Sequence, residues 1–258
     1  MIKLGQIQKI TMSAIMIVLT IIFTRLLSIQ NIPVIPFVRI SLGPAVVLLA
    51  SLVLGPFYGA IVGGAADILG IVMFNNTGYS INPILTVVYT LSGLLPFFVY
   101  KLFSLIKSKK ISLLVLISLF SSLFIAALFL FIFNSKIVLY GKTYTFLLWH
   151  KATILSVLFV LTLASLVALF FINRSFKNKD EQINVYTIAL MALVSEFIVK
   201  TVINSFVKSY IFEVDLLYIF MSEVLVLFVN IPLYTFFVTY LDLLLKKIVS
   251  SRENNHGK

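Results

Sequence analysis

The chain has 258 residues, of which 61 % are hydrophobic and only 11 % charged, and its mean hydropathy is +1.13. A water-soluble domain of this length needs far more polar residues to cover its core, so the surplus apolar surface is expected to face lipid, across several spanning helices. The net charge of +11 is carried by lysines and arginines in short segments between apolar runs, which reads as membrane topology and not as a nucleic-acid surface, and the absence of cysteine excludes thiol catalysis, disulfides and thiolate metal sites.

Eight helices are expected in chain order, forming an all-α multi-span bundle. The first covers about Ile7 to Ser28. Its Lys3 and Lys9 followed by an apolar run to Phe23 imitate a secretory leader, but no small-x-small cleavage site follows and Arg25 interrupts the end of the run. It is therefore kept as the first membrane helix. A Pro-containing loop, 31–37, leads to a short second helix, Ile40 to Leu54. Gly55-Pro56 breaks the chain, and a third helix runs from Phe57 to Phe74. The polar stretch Asn75 to Pro83 precedes a fourth, Ile84 to Leu105. Further spans are expected at Ile111–Phe133, Leu147–Ile172, Val185–Tyr210 and Leu216–Leu245. The whole chain, 1–258, forms one membrane domain.

Basic clusters set the expected orientation. Lys3/Lys9, Lys101/Lys107/Lys109/Lys110, Arg174/Lys177/Lys179 and Lys246/Lys247/Arg252/Lys258 hold 13 of the 20 basic residues. With eight spans all four clusters fall on one side, which the positive-inside rule makes cytoplasmic, and both termini with them. The protein is then a multi-pass plasma-membrane protein. Three irregular segments meet on the outer face: the loop ending at Arg39, the Asn75–Pro83 stretch with Tyr79, and the turn bearing Glu213 and Asp215. A fourth outer loop, Asn134 to Thr145, carries Lys136 and Lys142.

The third helix concentrates the chemistry. Gly55, Gly59 and Gly63 recur at i, i+4 and form two GxxxG steps, and Asp67 continues the same face. Small residues let membrane helices approach closely, and a carboxylate on that face points into the bundle, where a buried charge serves either as a structural partner or as a ligand group. The seventh span places Glu196, Lys200, Asn204 and Lys208 on one stripe. Glu196 and Lys200 have the favourable order for an ion pair, so mutual neutralisation competes with a ligand role. Glu223 stands about two turns into the last helix. At ~1.5 Å per residue, Asp67, Glu196, Lys200 and Glu223 share a middle-to-outer depth, with Arg39 at the outer mouth. Such a pocket suits a heterocycle with an amidine-like edge, which a carboxylate can grip, and an anionic tail, which arginine and lysine neutralise.

Other patterns carry nothing. Gly141-Lys142-Thr143 imitates the end of a P-loop without its preceding glycine or strand. Two histidines, His150 and His256, make no zinc centre, and His150 beside Trp149 is an expected interfacial anchor. No GxSxG or Ser/His/Asp arrangement is present, and neither enzyme chemistry nor a cofactor or metal is expected.

At Arg39-Ile-Ser-Leu-Gly-Pro44 and Leu54-Gly-Pro-Phe-Tyr-Gly-Ala-Ile-Val-Gly-Gly-Ala-Ala-Asp-Ile-Leu-Gly70, the chain resembles the S components of energy-coupling-factor (ECF) vitamin transporters, the folate-type members above all. The likeness continues through Thr77-Gly-Tyr79 and Leu91-Ser-Gly93; from Val185 onward it is general, and includes Asn204 and Pro232. The resemblance implies a substrate-binding subunit that captures a vitamin, folate in the first instance, from outside the cell. It also implies docking on a transmembrane coupling protein carrying two ATPases, and toppling in the membrane to release the ligand. Carried over residue by residue, it points to Arg39, Asp67 and Tyr79; Lys200, Asn204 and Glu223 complete the expected substrate-binding set. The chain departs from the family pattern in three places. The usual six spans become eight through an expected two-helix insertion at 111–174. The family's Ala-xxx-Ala docking face on the first helix is represented by Ala14 and Val18. Glu223 stands where folate-type members tend to have a base. An S component for another vitamin or small heterocycle, a stand-alone secondary carrier and an intramembrane enzyme are the competing readings. The carrier lacks an evident inverted repeat and the enzyme lacks clustered histidines or paired acids.

Overall fold

The computed structural model describes residues 5–29, 39–74, 82–106, 108–133, 136–139, 142–145, 148–176 and 184–256. Tyr79, the 31–37 loop, residues 75–81 and the basic residues Lys3, Lys107, Lys177, Lys179 and Lys258 lie outside them, as do the side chains of Lys136, Lys142, Trp149, His150 and His256.

Helix α1 spans Gln6–Ile21 and continues as a π-helical turn, Ile22–Leu26. Helices α2 (Gly43–Leu54), α3 (Pro56–Met73), α4 (Pro83–Ser104) and α5 (Lys109–Phe133) follow. Strands β1 (Lys136–Leu139) and β2 (Lys142–Thr145) precede α6 (Leu148–Phe176). Helix α7 (Val185–Glu196) passes through a second π-helical turn, Phe197–Ile203, into α8 (Asn204–Phe212), and α9 runs from Leu216 to His256. Among the described residues, seven helical stretches are long and apolar enough to cross a membrane, and α2 is a shorter apolar helix. The protein is an all-α multi-span membrane bundle.

The expected helices are therefore present, with three differences. The segment expected as an outer loop, Asn134 to Thr145, contains a short antiparallel hairpin in which Lys136 lies opposite Thr145 and Leu139 opposite Lys142. Its strands are rich in β-branched residues. The last helix was expected to stop at Leu245 and runs on to His256, because no glycine or proline interrupts it between Pro232 and Gly257. The first helix ends in a wider turn than an α-helix has.

Helix α2 occupies the centre. Every residue in it except Pro44 is buried, which matches a sequence that is apolar on all sides. Its 12 residues extend only about 18 Å at ~1.5 Å per residue, less than the ~30 Å hydrocarbon layer. Such a helix is tolerated inside a membrane bundle where neighbouring helices bury it. It packs against α1, α3, α4 and α9. Gly55, with φ of +97°, makes the break between α2 and α3, a backbone conformation that L side chains rarely adopt, and Pro56 opens α3.

Of the expected glycine face, Gly59 and Gly63 make the close helix contact, whereas Gly55 precedes α3 and a Cβ there would meet nothing within 4 Å. A Cβ on Gly93 of α4 would collide with the Gly59 carbonyl, and one on Gly63 with the Tyr89 carbonyl. The α3 and α4 backbones are thus in direct contact. Pro96 lies inside α4, and the backbone N–H of Phe97 just after it donates to the Ser51 hydroxyl of α2 at 3.1 Å. Buried polar backbone at a helix irregularity is satisfied here by a neighbouring helix.

Helices α5 and α6, the expected inserted pair, join the rest through particular contacts. Asn184 Nδ2 donates to Ser112 Oγ at 3.0 Å. Phe120 packs on Phe228 with ring centroids 5.5 Å apart, and Phe176 packs on Phe236 at 5.9 Å. The other faces of this pair expose large apolar side chains such as Ile125, Phe129, Val160 and Phe171, as a lipid-facing surface requires.

Candidate functional site

The first polar cluster forms where α1, α2, α3 and α4 meet. Ile29 and Ile40 exchange backbone hydrogen bonds at 2.9 and 3.1 Å, which draws the chain after α1 back onto itself and brings Arg39 beside the end of that helix. Arg39 Nη1 donates to the Thr24 carbonyl at 3.2 Å. Helix-end carbonyls have no intrahelical partner, and a cation is their natural one. Arg39 also lies within electrostatic reach of Asp67, Arg25 and Tyr89. Burial is the largest influence on its guanidinium and acts to lower its pKa, but a guanidinium starts high enough to stay charged.

Asp67 is buried on α3. Its Oδ2 accepts from Thr86 Oγ1 of α4 at 2.9 Å, and its Oδ1 stands 4.0 Å from Arg25 Nη2. Arg25 belongs to the π turn of α1 and lies over Gly70, where an added Cβ would come within 3.0 Å of its Nε. The carboxylate thus lies 4.0 Å from Arg25 and within electrostatic reach of Arg39, and the cluster carries one more cation than anion.

The second cluster lines the α7–α8 segment and α9. Lys200 Nζ stands 2.7 Å from Glu196 Oε2, one turn back along the helix. It also donates to Tyr234 Oη at 3.2 Å and lies 5.3 Å from the centre of that ring. Lys208 Nζ pairs with Glu223 Oε1 at 2.6 Å, joining α8 to α9. Glu223 in turn acts electrostatically on Glu196, Lys200 and Tyr234. Asn204 is buried, and its Oδ1 accepts no hydrogen bond among the described residues. This cluster is charge-balanced.

The structure thus gathers the expected residues into two groups. Arg39 and Asp67 belong to one; Lys200, Asn204 and Glu223 belong to the other; Tyr79 lies outside the described residues. Helix α4 packs against α3 and also against the second π turn and α8, so it adjoins both groups. The expected Glu196–Lys200 pair is present, and Lys208 of the same stripe pairs across with Glu223 on α9.

Sequence reasoning missed Arg25, Thr86 and Tyr234 as members of these clusters. Arg25 carried a usable signal, because a charge inside an apolar run points to a functional or paired group. The two π turns had no signal in the sequence. Both carry a cation of the clusters, Arg25 and Lys200, and π turns inside helices occur frequently at functional sites. Among the described residues no group of three or more His, Asp or Glu side chains is placed to hold a metal ion.

Residues 4–173, more than half of the chain, match the family model described as "ECF-type riboflavin transporter, S component". The chain belongs to this S-component family. The matched residues include most of 111–174. The folate transporter FolT of Clostridium novyi (strain NT) is 41 % identical over 66 residues, which cover 26 % of this chain and 36 % of that protein. The chain therefore spans little more than a third of the length of the curated relative it matches. No solved structure matches it. The protein is thus a multi-span membrane protein of the ECF-type S-component family.

Proposed function

We propose that this S component captures folate from outside the cell and delivers it through a transmembrane coupling protein driven by two ATPase subunits. The observation that carries the reading is the buried carboxylate of Asp67 with Arg25 at 4.0 Å and Arg39 within electrostatic reach. An unbalanced guanidinium in a bundle of low dielectric favours an anionic ligand, and a folate has a dicarboxylate tail. Asp67 can accept hydrogen bonds from an aminopyrimidinone edge, and Lys200, Asn204 and Glu223 supply further donors and acceptors. Tyr79 completes the proposed set. The resemblance of the Arg39–Gly70 segment to folate-type members supports the same choice, as does the relative whose printed name is a folate transporter. The proposed orientation puts both termini in the cytoplasm and the Arg39 segment outside, with 111–174 as an addition to a six-helix core.

A second reading, riboflavin as the ligand, is favoured by the description of the matching family model. Equilibrium binding to the purified chain in detergent separates the two, with folic acid, 5-formyltetrahydrofolate and riboflavin as probes. Binding of a folate that weakens in Arg39→Gln supports the first reading. Riboflavin binding with no affinity for any folate replaces it with the second. Vesicles holding this chain alone are expected to bind the vitamin without accumulating it; accumulation driven by an ion gradient would instead mark a self-sufficient carrier.

A further inference from the structure

We propose that α8 is a hinged cover, latched to α9 by the Lys208–Glu223 ion pair, that opens on the π turn Phe197–Ile203 to expose the buried amide of Asn204. Three observations converge on it. The first is a contrast along one continuous helical stretch. Nearly all of α7 is buried, Val194 being the only residue in it that is not fully so, whereas α8 exposes Phe206 and Tyr210 and buries only Asn204 and Ser205. Segments with few buried contacts open locally at lower free energy than the core does.

The second observation is the joint between them. A π-helical turn separates the buried part from the exposed part. Its wider hydrogen-bond spacing is a natural place for a helix to change direction. At its far end, α8 stops at Glu213 in a left-handed conformation, with φ of 53°, so the helix is bounded on both sides by irregular backbone.

The third is what the cover hides. Asn204 is 6 % exposed and its Oδ1 accepts no hydrogen bond among the described residues, and the Ser205 hydroxyl beside it is equally without one. Leaving a buried acceptor unsatisfied is costly, and a ligand N–H or a water admitted by opening would remove that cost. The latch itself is a charged hydrogen bond of 2.6 Å between half-buried Lys208 and buried Glu223. A charged pair is strong enough to hold the cover and is open to competition from an anionic ligand group. What passes beneath the cover rests on the reading of this chain as a vitamin-binding subunit; the cover itself does not.

Hydrogen–deuterium exchange on the ligand-free chain in detergent tests the cover without any ligand. In the wild type, amides of 204–212 are expected to exchange faster than those of 185–196. Glu223→Gln and Lys208→Gln should each speed exchange in 204–212 by ~10-fold or more and leave 185–196 unchanged, and the charge-swapped pair K208E/E223K should restore much of the protection. Equal, slow exchange of both segments in the wild type overturns the proposal. So does a rise in exchange that either substitution spreads evenly over both segments. Failure of the chain to bind any vitamin would leave these outcomes untouched, so the two readings fall separately.

Discussion

Arg25, on the π turn that ends α1, stands 4.0 Å from Asp67 of α3 and lies over Gly70, one turn further along the same helix. Two elements distant in sequence are tied by one guanidinium, and the missing side chain at Gly70 is what lets it approach.

Asp67→Asn keeps the shape of the side chain and removes its charge. Hydrogen bonds to a charged group contribute about 1.5–3 kcal/mol, so affinity for the proposed folate ligand is expected to fall by roughly 10- to 100-fold. Equilibrium binding with a folded, monodisperse variant measures this; unchanged affinity would remove Asp67 from the site.

Gly70→Ala tests the same relationship from the other side. The added methyl meets the Arg25 guanidinium at its Nε, a flexible group that can shift by a few tenths of an ångström. The protein should fold with a nearly unchanged melting temperature and bind more weakly than the wild type, but less weakly than Asp67→Asn. An affinity equal to the wild type would show that the placement of Arg25 does not matter to the ligand.

Gly93 has no such latitude. An added Cβ would strike the Gly59 carbonyl, which belongs to a packed helix backbone. Gly93→Leu should separate α3 from α4 and yield aggregated or poorly expressed protein, read by size-exclusion chromatography. A monodisperse variant with normal thermal stability would contradict the backbone contact.

Glu196 and Lys200 form a pair 2.7 Å apart in the interior. Removing one partner strands a buried charge, at a cost of about 3–5 kcal/mol, whereas replacing both with uncharged groups is much less costly. Glu196→Gln and Lys200→Met should each lower the melting temperature in detergent sharply. The double variant should be more stable than either single one, and a double-mutant cycle gives the coupling. Additive losses would show that the two side chains act independently.

The helices were legible because lipid imposes a simple rule: a segment that spans must be apolar and must satisfy its own backbone. The break at Gly55-Pro56, the long apolar runs and the close glycine face follow from that rule and from steric size. Asp67, Lys200 and Glu223 were legible as functional candidates for the complementary reason, since a charge in an apolar run is costly and needs a partner. The two π turns were not legible, because the same residues form α- or π-turns according to what packs against them. The grouping of the charges was also hidden. Spacing put Glu196, Lys200, Asn204 and Lys208 on one stripe, but the match of Lys208 with Glu223 depends on how α8 lies against α9.

By itself the sequence determined that this chain is a bundle of membrane helices with charges inside it, since period, length and hydropathy are local properties. Only the tertiary structure decided that Arg25 joins Arg39 at Asp67 while Lys208 pairs with Glu223. Pairing of charges between helices depends on their relative rotation and depth, which many packed side chains set together and no short stretch of sequence encodes.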